Sequence, residues 1–214
     1  MSSVSLVGIT VPKIPGINSA EDLVAYAARV SNPSNQMNLE TAPKLLKYLM
    51  KNKHWSPFEM VSVVMEIKTT RDIARQILRH RSFSFQEFSQ RYADPTQLGF
   101  EFREARLQDT KNRQNSIENT SRVLADNWYL EIDRVKRIAA EAYNWAIKNG
   151  IAKEQARVVL PEGLTISQLY MSGTLRSWIH YIQLRTEEGT QKEHREIAQK
   201  CAGIIQTEFP SIEL

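Results

Sequence analysis

Cysteine is nearly absent from this chain of 214 residues, in which Cys201 is the only one. A single cysteine cannot form an intrachain disulfide, and together with four histidines it offers little for a structural zinc site. The C-x-x-C, H-E-x-x-H and D-x-D-x-D-G patterns of metal proteins are missing as well. The sequence therefore predicts a cytoplasmic protein without a metal site.

Long hydrophobic runs are also missing. No apolar stretch approaches the roughly 18–20 residues that a membrane span needs, and residues 1–16 lack the basic and long apolar regions of a secretory signal. Hydrophobic residues make up 42% of the chain and charged residues 24%, which is typical of a globular protein with a full core. At this length we predict one domain over residues 1–214.

The eight glycines are scattered and form neither G-x-G-x-x-G nor G-x-x-x-x-G-K-[ST]. These two motifs build the commonest backbone cradles for phosphate groups. If the chain binds a phosphate or a dinucleotide, side chains must supply most of the contacts. Arginine is the side chain best suited to that task.

Hydrophobic periodicity divides the chain into strands and helices. The predicted strands are 4–11, 61–70, 98–108 and 164–172. The predicted helices are 19–31, 39–54, 71–80, 115–149, 151–160, 174–185 and 190–206. Segment 82–92 is predicted to be a loop or a short strand. Because regular βαβ spacing is lacking, we expect a mixed α/β (α+β) fold, with a central, mostly antiparallel sheet flanked by helices and one long amphipathic helix at 115–149.

The positive charge of the chain is concentrated in one short stretch. Residues 71–91 contain five arginines and two acids, a net charge of +3, whereas the rest of the chain is nearly balanced. A nucleic-acid surface would spread its basic residues more widely. A compact arginine cluster is more typical of a pocket for a small anion.

The centre of this stretch is Arg79, His80 and Arg81. Gln76 lies one helical turn before them, so we expect these side chains to project close together near a helix end. The alternative is that basic residues in the last turn only complement the helix dipole, for about 0.3–1 kcal/mol each. Three consecutive residues point in three directions, however, and cannot all share one solvated face.

Glu87, Ser89 and Arg91 follow at alternate positions. If the segment is extended, they lie on one side and form a row of donors and acceptors for one polar, planar ligand. The alternative is a surface strand with an internal Glu87–Arg91 pair. Ser89 could also be a nucleophile activated by His80, but no G-x-S-x-G elbow surrounds it, so a hydrogen-bonding role is favoured.

Arg185 continues an apolar stripe of the 174–185 helix that contains Trp178 and Ile182. An arginine in this position must extend to solvent or find a buried anion. Glu187 or Glu188 is the ordinary candidate for that partner. The other possibility is an anionic ligand.

Further candidates lie elsewhere in the chain. Arg176 and His180 are one turn apart and share a helix face, and Arg157 lies at an apolar-flanked helix end. His54 precedes Ser56 in HWSPFEM, where a histidine beside a hydroxyl could contact a ring or a phosphate, or simply form a helix cap. Each residue alone is more typical of a structural role. Together with the first cluster, Arg157, Arg176 and Arg185 indicate a polyanionic ligand.

Four segments resemble the motifs of one family, the flavin-dependent thymidylate synthases. Arg79-His80-Arg81, seven residues and Ser89 reproduce its RHR-x7-S signature. HWSPFE at 54–59 resembles its H-x-[TS]-P-F-E segment, and ARVVLP at 156–161 resembles A-R-x-x-L-P. A looser match to A-Q-x-E-I involves Gln191, Glu196 and Ile197. The motifs run in the family's order over most of the chain.

The resemblance implies a mixed α/β fold that forms a homotetramer with active sites shared between subunits. It also implies bound FAD that is reduced by NADPH, and conversion of dUMP to dTMP with methylenetetrahydrofolate as carbon donor. No cysteine nucleophile is needed for this reaction. That agrees with the position of Cys201 in a plain helical stretch.

The resemblance also implies roles for individual residues. The implied flavin contacts are His54, Ser56, Arg79, His80, Arg81, Glu87, Thr174 and His180. The implied dUMP contacts are Gln76, Arg79, Glu87, Ser89, Gln90, Arg91, Arg157 and Arg185. Arg185 resembles the catalytic arginine that polarises the uracil and draws the proton from its ring nitrogen, which makes the ring carbon nucleophilic.

The chain departs from the family pattern at Ser56, Gln90, Thr174 and His180, which puts these individual contacts in question. Two other interpretations remain open. One is a nucleic-acid-binding module that uses the basic cluster and its interleaved phenylalanines. The other is a flavoprotein of the same fold that has lost synthase activity.

Overall fold

The computed structural model describes residues 2–214, and its centre is a four-stranded sheet. The strands are β1 (Ser3–Ile9), β2 (Ser62–Thr70), β3 (Ser84–Glu87), β4 (Arg106–Gln108), β5 (Ser116–Glu118) and β6 (Ile166–Thr174). The helices are α1 (Ala20–Ala28), α2 (Ala42–Lys51), α3 (Arg71–Ile77), α4 (Arg122–Lys148), α5 (Lys153–Ala156), α6 (Leu175–Arg185) and α7 (Lys192–Glu208). Short 3₁₀ turns lie at Pro33–Asn35, Ser56–Glu59, Pro95–Gln97 and Arg157–Val159.

The central sheet has the strand order β1-β2-β6-β3, and every neighbouring pair is antiparallel. Met65 of β2 lies opposite Met171 of β6, at the middle of the longest pairing. Helices cover the sheet, and the long amphipathic helix is present as α4. The prediction of a mixed fold with a mostly antiparallel sheet is confirmed.

The core lies on one face of the sheet because β2 alternates as a half-buried strand must. Val63, Met65 and Ile67 are fully buried, whereas Ser62 and Lys68 are exposed. The sheet therefore presents a continuous apolar surface to the helices, and this packing fixes where α6 and α7 lie.

Helices α1 and α6 each begin after a polar residue that caps the helix N-terminus. Ser19 Oγ accepts a hydrogen bond from the backbone N–H of Asp22 at 3.0 Å, and α1 begins at the next residue. Thr174 Oγ1 accepts from the backbone N–H of Ser177 at 3.3 Å and caps α6 in the same way. Thr174, an implied flavin contact, therefore has a structural role at this helix end.

The predicted strand over 98–108 is wrong in most of its length. Gly99 adopts a φ of +85°, which interrupts an extended segment, and only Phe100 forms an isolated bridge, to Thr165. Arg103 then turns towards Asp72, with an Nη2–Oδ1 distance of 2.7 Å. Only β4 is a strand, and it pairs with β5 in a separate two-stranded ribbon.

The predicted start of the long helix at residue 115 is also wrong. Residues 116–118 form β5, and the helix begins after Ser121, whose Oγ accepts from the backbone N–H of Leu124 at 3.3 Å. Pairing with β4 therefore prevails over helical propensity here. The predicted end is confirmed, because Gly150 follows the helix with a φ of +77°.

Helix α4 leaves an unusual number of large apolar side chains in solvent. Val123, Leu130 and Trp145 are each more than 60% exposed. Only a narrow stripe that includes Tyr143 and Ala146 is buried, against Leu160. A single chain therefore leaves most of the apolar surface of α4 uncovered.

Among residues 2–214, no helix combines the length and the apolar character that crossing a membrane requires.

Candidate active site

The Arg79-His80-Arg81 segment forms a turn between α3 and β3. The backbone N–H of His80 donates to Ile77 at 3.1 Å, and that of Phe83 donates to the carbonyl of His80 at 3.2 Å. Phe83 is buried, but Arg79 and Arg81 are exposed, and no carboxylate of the described residues forms an ion pair with either. The turn thus holds two free cations at the surface.

Phe83 fixes this turn because its ring enters the core beside α6. The ring centroid lies 4.9 Å from that of Trp178 and 6.0 Å from that of Tyr181. The indole Nε1–H of Trp178 in turn donates to the carbonyl of Val63 at 3.1 Å. The arginine-bearing turn is therefore tied through aromatic packing to the central sheet.

Gly173 in β6 provides the space for the Phe83 ring. A Cβ atom at this position would lie 2.4 Å from the ring, far below van der Waals contact. We expect Gly173→Ala to displace Phe83 and to lower the free energy of unfolding by about 1–3 kcal/mol, measured by urea titration. Gly203→Ala is the matched control, because no atom lies within 4 Å of a Cβ there and helix α7 should gain stability. Equal effects of the two substitutions would contradict this account.

Arg185, the last residue of α6, meets His80 of the turn. Its Nε–H donates to His80 Nε2 at 2.9 Å. Burial, and secondly the charge of Arg185, lower the pKa of His80 to about 4, so the ring is neutral at physiological pH. The expected partners Glu187 and Glu188 form no ion pair with Arg185. The guanidinium therefore has no compensating carboxylate among the described residues.

Gln76 lies one turn before His80 and contacts α7. Its Nε2 donates to Gln191 Oε1 at 2.8 Å, and its Oε1 lies 3.3 Å from His194 Nδ1. His194 is fully buried, and its Nε2 lies 3.1 Å from the hydroxyl of Tyr181.

His194 and Tyr181 were not predicted from the sequence as parts of the site. One signal was available. His194 lies on the apolar face of α7, three and four residues before Ile197 and Ala198, where a histidine requires polar partners.

Glu87 ends β3 and turns towards the start of α3. Its Oε1 accepts from Ser167 Oγ at 2.8 Å and lies 3.5 Å from Nη1 of the buried Arg71. The expected row of Glu87, Ser89 and Arg91 on one side of a strand is wrong, because the chain turns after Phe88. Ser89 Oγ accepts from the backbone N–H of Arg91 at 3.4 Å instead. Ser89 and His80 form no hydrogen bond with each other, as a nucleophile activated by His80 would require.

Arg91 and Arg157 both contact Glu154, and Arg91 does not pair with Glu87. Arg91 Nε lies 3.3 Å from a carboxylate oxygen of Glu154, and Arg157 Nε donates to the backbone carbonyl of that residue at 3.2 Å. The alternative Glu87–Arg91 pair is therefore absent. Gln90 is buried beside them, and its Nε2 has no hydrogen-bond partner.

His54, Ser56 and His180 lie in another part of the surface. The ring of His180 packs edge-on against Trp55 with centroids 4.6 Å apart, while His54 and Ser56 are exposed beside it. Burial, and secondly Arg176, lower the pKa of His180. Helix α6 thus connects the HWSPFE segment, through His180, with the turn that contains His80, through Arg185.

Apart from Glu87, Ser89 and Thr174, the predicted site residues form three groups in one chain. The first contains Gln76, His80 and Arg185, and the second contains Gln90, Arg91 and Arg157. The third is the His54–Ser56–His180 surface, with Arg79 and Arg81 exposed at the turn. This is an α+β protein in which cationic side chains, rather than a glycine-rich backbone, line the candidate surface.

Comparison with known proteins identifies the family. A family model described as "Thymidylate synthase complementing protein" matches residues 14–211. The chain belongs to this family, which confirms the resemblance found in the motifs.

Two curated relatives match nearly the whole chain. One from Paramecium bursaria Chlorella virus 1, described as a probable flavin-dependent thymidylate synthase, is 51% identical over 98% of this chain and 96% of the relative. The flavin-dependent thymidylate synthase of Synechocystis sp. is 49% identical over 91% of this chain and 88% of its own.

A solved structure has the same fold. The UMP/dUMP methylase PolB from Streptomyces cacaoi, bound with 5-Br dUMP, gives a TM-score of 0.81 at 27% identity. The match covers 99% of this chain and 92% of PolB. The similarity therefore extends over the entire described fold.

Proposed function

We propose that the chain is a flavin-dependent thymidylate synthase that methylates dUMP to dTMP. In the proposed reaction dUMP, methylenetetrahydrofolate, NADPH and a proton give dTMP, tetrahydrofolate and NADP⁺. Family membership supports the class of enzyme. The observation that carries the assignment in this chain is Arg185, a cation without a carboxylate partner beside a neutral His80. We assign the protein to the cytoplasm.

Arg185 is suited to the proposed catalytic role. Its Nε is engaged by His80, which orients the guanidinium, while its terminal nitrogens have no hydrogen-bond partner among the described residues. Because His80 is neutral, it does not offset the positive charge of the Arg185 guanidinium as a carboxylate would. The guanidinium can therefore stabilise negative charge that develops on the uracil when its ring nitrogen loses a proton.

The proposed dUMP contacts supply both charge and hydrogen bonds. Arg91 and Arg157 lie together and can hold a phosphate, for which arginine is well suited. The buried amide of Gln90 has a free donor, and the partly exposed Gln76 and Ser89 offer polar edges. We include Arg79 and Glu87 as further nucleotide contacts.

The turn and the His54–Ser56–His180 surface offer a fit for FAD, which when bound would supply the hydride that it has received from NADPH. Arg79 and Arg81 are unpaired cations of the described chain and can neutralise its diphosphate. His54, Ser56 and His180 provide exposed rings and a hydroxyl in another part of the surface. We propose His80, Glu87 and Thr174 as further contacts. The protein's part is orientation and charge.

A cysteine nucleophile is excluded by the position of Cys201. The side chain is fully buried in α7, and burial raises the pKa of its thiol far above the ordinary value. A thiolate is the reactive form, so this cysteine is inert at physiological pH. That supports a reaction in which a flavin, rather than an enzyme thiol, is required.

The proposed assembly is a homotetramer with shared active sites. The exposed apolar side chains of α4, among them Val123, Leu130 and Trp145, provide a surface that a second copy can cover. The separation of the predicted site residues into three groups also supports sites completed by a partner subunit. Multi-angle light scattering of the purified protein tests the subunit count.

The first test of the function is a visible absorbance spectrum followed by NADPH oxidation with and without dUMP. We expect flavin absorbance in the blue, NADPH oxidation that changes when dUMP is added, and dTMP formation when methylenetetrahydrofolate is also present. Deoxyuridine, which lacks the phosphate, is the matched control and should give no change. A colourless protein that takes up no added FAD would contradict the proposal. Steeply salt-dependent DNA binding would then favour a nucleic-acid-binding module.

A further inference from the structure

A chain of side-chain hydrogen bonds leads from the surface of α7 to Gln76. It begins at Glu193, whose carboxylate accepts from Arg106 Nη2 at 2.9 and 3.0 Å. Burial alone would raise the pKa of Glu193, but its own backbone N–H and Arg106 prevail and lower it. An ionised carboxylate only accepts, so Gln191 donates to it through Nε2, at 3.0 Å. The Oε1 atom of Gln191 therefore faces Gln76.

The same reasoning fixes the orientation of the Gln76 amide and the position of the proton on the His194 ring. Gln76 Nε2 donates to Gln191 Oε1, so Gln76 Oε1 is the atom that lies 3.3 Å from His194 Nδ1. Because Oε1 can only accept, Nδ1 of His194 carries a proton. Burial, followed by the charges of Arg185 and His80, lowers the pKa of His194 to about 3, so its Nε2 is unprotonated.

Tyr181 closes the chain at its buried end. Its hydroxyl lies 3.1 Å from His194 Nε2, and burial raises its pKa well above the usual value, so it remains a donor. Every donor and acceptor from Tyr181 to Glu193 thus has a single orientation. Side-chain networks that are hydrogen-bonded in this way hold their members in place.

We propose that His194 is a positioning residue, which holds the Gln76 amide in one orientation for dUMP. This inference rests on the proposed function, in which Gln76 contacts the nucleotide. The bonds to Gln191 and His194 use one Nε2–H and one Oε1 lone pair, so one donor and one acceptor remain for the ligand. An amide free to flip would present these two groups in either order, whereas a fixed amide presents the productive one.

Two substitutions of His194 separate the bond to Gln76 from the bond to Tyr181. In His194→Asn the amide nitrogen occupies the region of Nδ1 and can still donate to Gln76. In His194→Gln the amide reaches the region of Nε2 and can still meet Tyr181, but it leaves Gln76 unsupported. Both place an amide in the same buried position, so they are matched in polarity and control for each other.

We measure the Kd for dUMP by calorimetry on the flavin-loaded protein, and KM and kcat in the synthase assay. We expect His194→Gln to raise the Kd and KM for dUMP about five- to tenfold, the effect of losing one neutral hydrogen bond. His194→Asn should remain within about twofold of the unmodified protein. The kcat at saturating dUMP should change little in either variant.

Several outcomes would overturn the proposal. Equal rises in Kd for both variants, a larger rise for His194→Asn, or no change in either would show that His194 does not act through Gln76. A purely structural role would lower the melting temperature of both variants without separating their Kd values. If the unmodified protein itself fails to bind dUMP, the proposed function fails, and this inference with it. If the unmodified protein binds dUMP but the two variants do not differ as expected, only the proposed role of His194 fails.

Discussion

Arg185→Ala is expected to retain flavin and to lose methylation. Removal of a charged group that stabilises developing negative charge costs roughly 100- to 1000-fold in kcat, and Arg185 has no carboxylate partner whose loss would complicate the result. The residue is partly exposed at the end of α6, so the fold should tolerate the change. The measurements are dTMP formation at saturating dUMP and flavin content from visible absorbance.

Two further variants define the cause of that loss. Arg185→Lys keeps the positive charge but not the planar fork of donors, so we expect an activity between those of Arg185→Ala and the unmodified protein. Gln183→Ala alters an exposed residue of the same helix and serves as the control. Retained turnover in Arg185→Ala would refute the catalytic role, and loss of flavin in that variant would assign Arg185 to the cofactor instead.

Local patterns in the sequence predicted most elements because these elements depend on neighbouring residues. Alternation defined β2, and Ser19 marked the start of α1. The segment 98–108 misled because its apolar alternation suggested a strand. Its conformation instead depends on the φ of Gly99 and on the contact of Arg103 with Asp72, a residue distant in sequence.

The site shows the same division between local and long-range information. The arginine cluster, and the prediction of an anionic ligand for it, follow from composition and spacing. The contact of Arg185 with His80 joins residues 105 positions apart, and no periodicity within one helix reveals it. His194 was missed for this reason also, since its significance comes from Gln76, 118 positions away.

Glu87 is expected to be required for stability as well as for ligand binding. It is the only carboxylate of the described residues within ion-pair distance of Arg71, whose side chain is 9% exposed. Burial lowers the pKa of Arg71, and Arg75 and Arg157 lower it further, whereas Glu87 and, to a smaller extent, Glu162 raise it. Removal of Glu87 would therefore leave a buried guanidinium among like charges, without its counter-ion.

We expect Glu87→Ala to lower the free energy of unfolding by about 3 kcal/mol, the lower end for breaking a buried ion pair, because Glu87 is itself 19% exposed on its side chain. For a domain of this size the melting temperature should fall by about 6–12 °C. Glu87→Gln keeps an acceptor for Ser167 and should cost less. Glu213→Ala removes an exposed partner of Lys47 and should change stability by less than about 1 kcal/mol.

Calorimetric melting of these variants, with and without added FAD and dUMP, separates the two roles of Glu87. If the carboxylate serves only Arg71, ligands should stabilise Glu87→Gln as much as the unmodified protein, because stabilisation by a ligand depends only on its affinity for the folded state. A smaller ligand-induced rise in Glu87→Gln would place the carboxylate in the binding surface. Unchanged melting in Glu87→Ala would mean that solvent or another acid compensates Arg71, and the structural role would have to be abandoned.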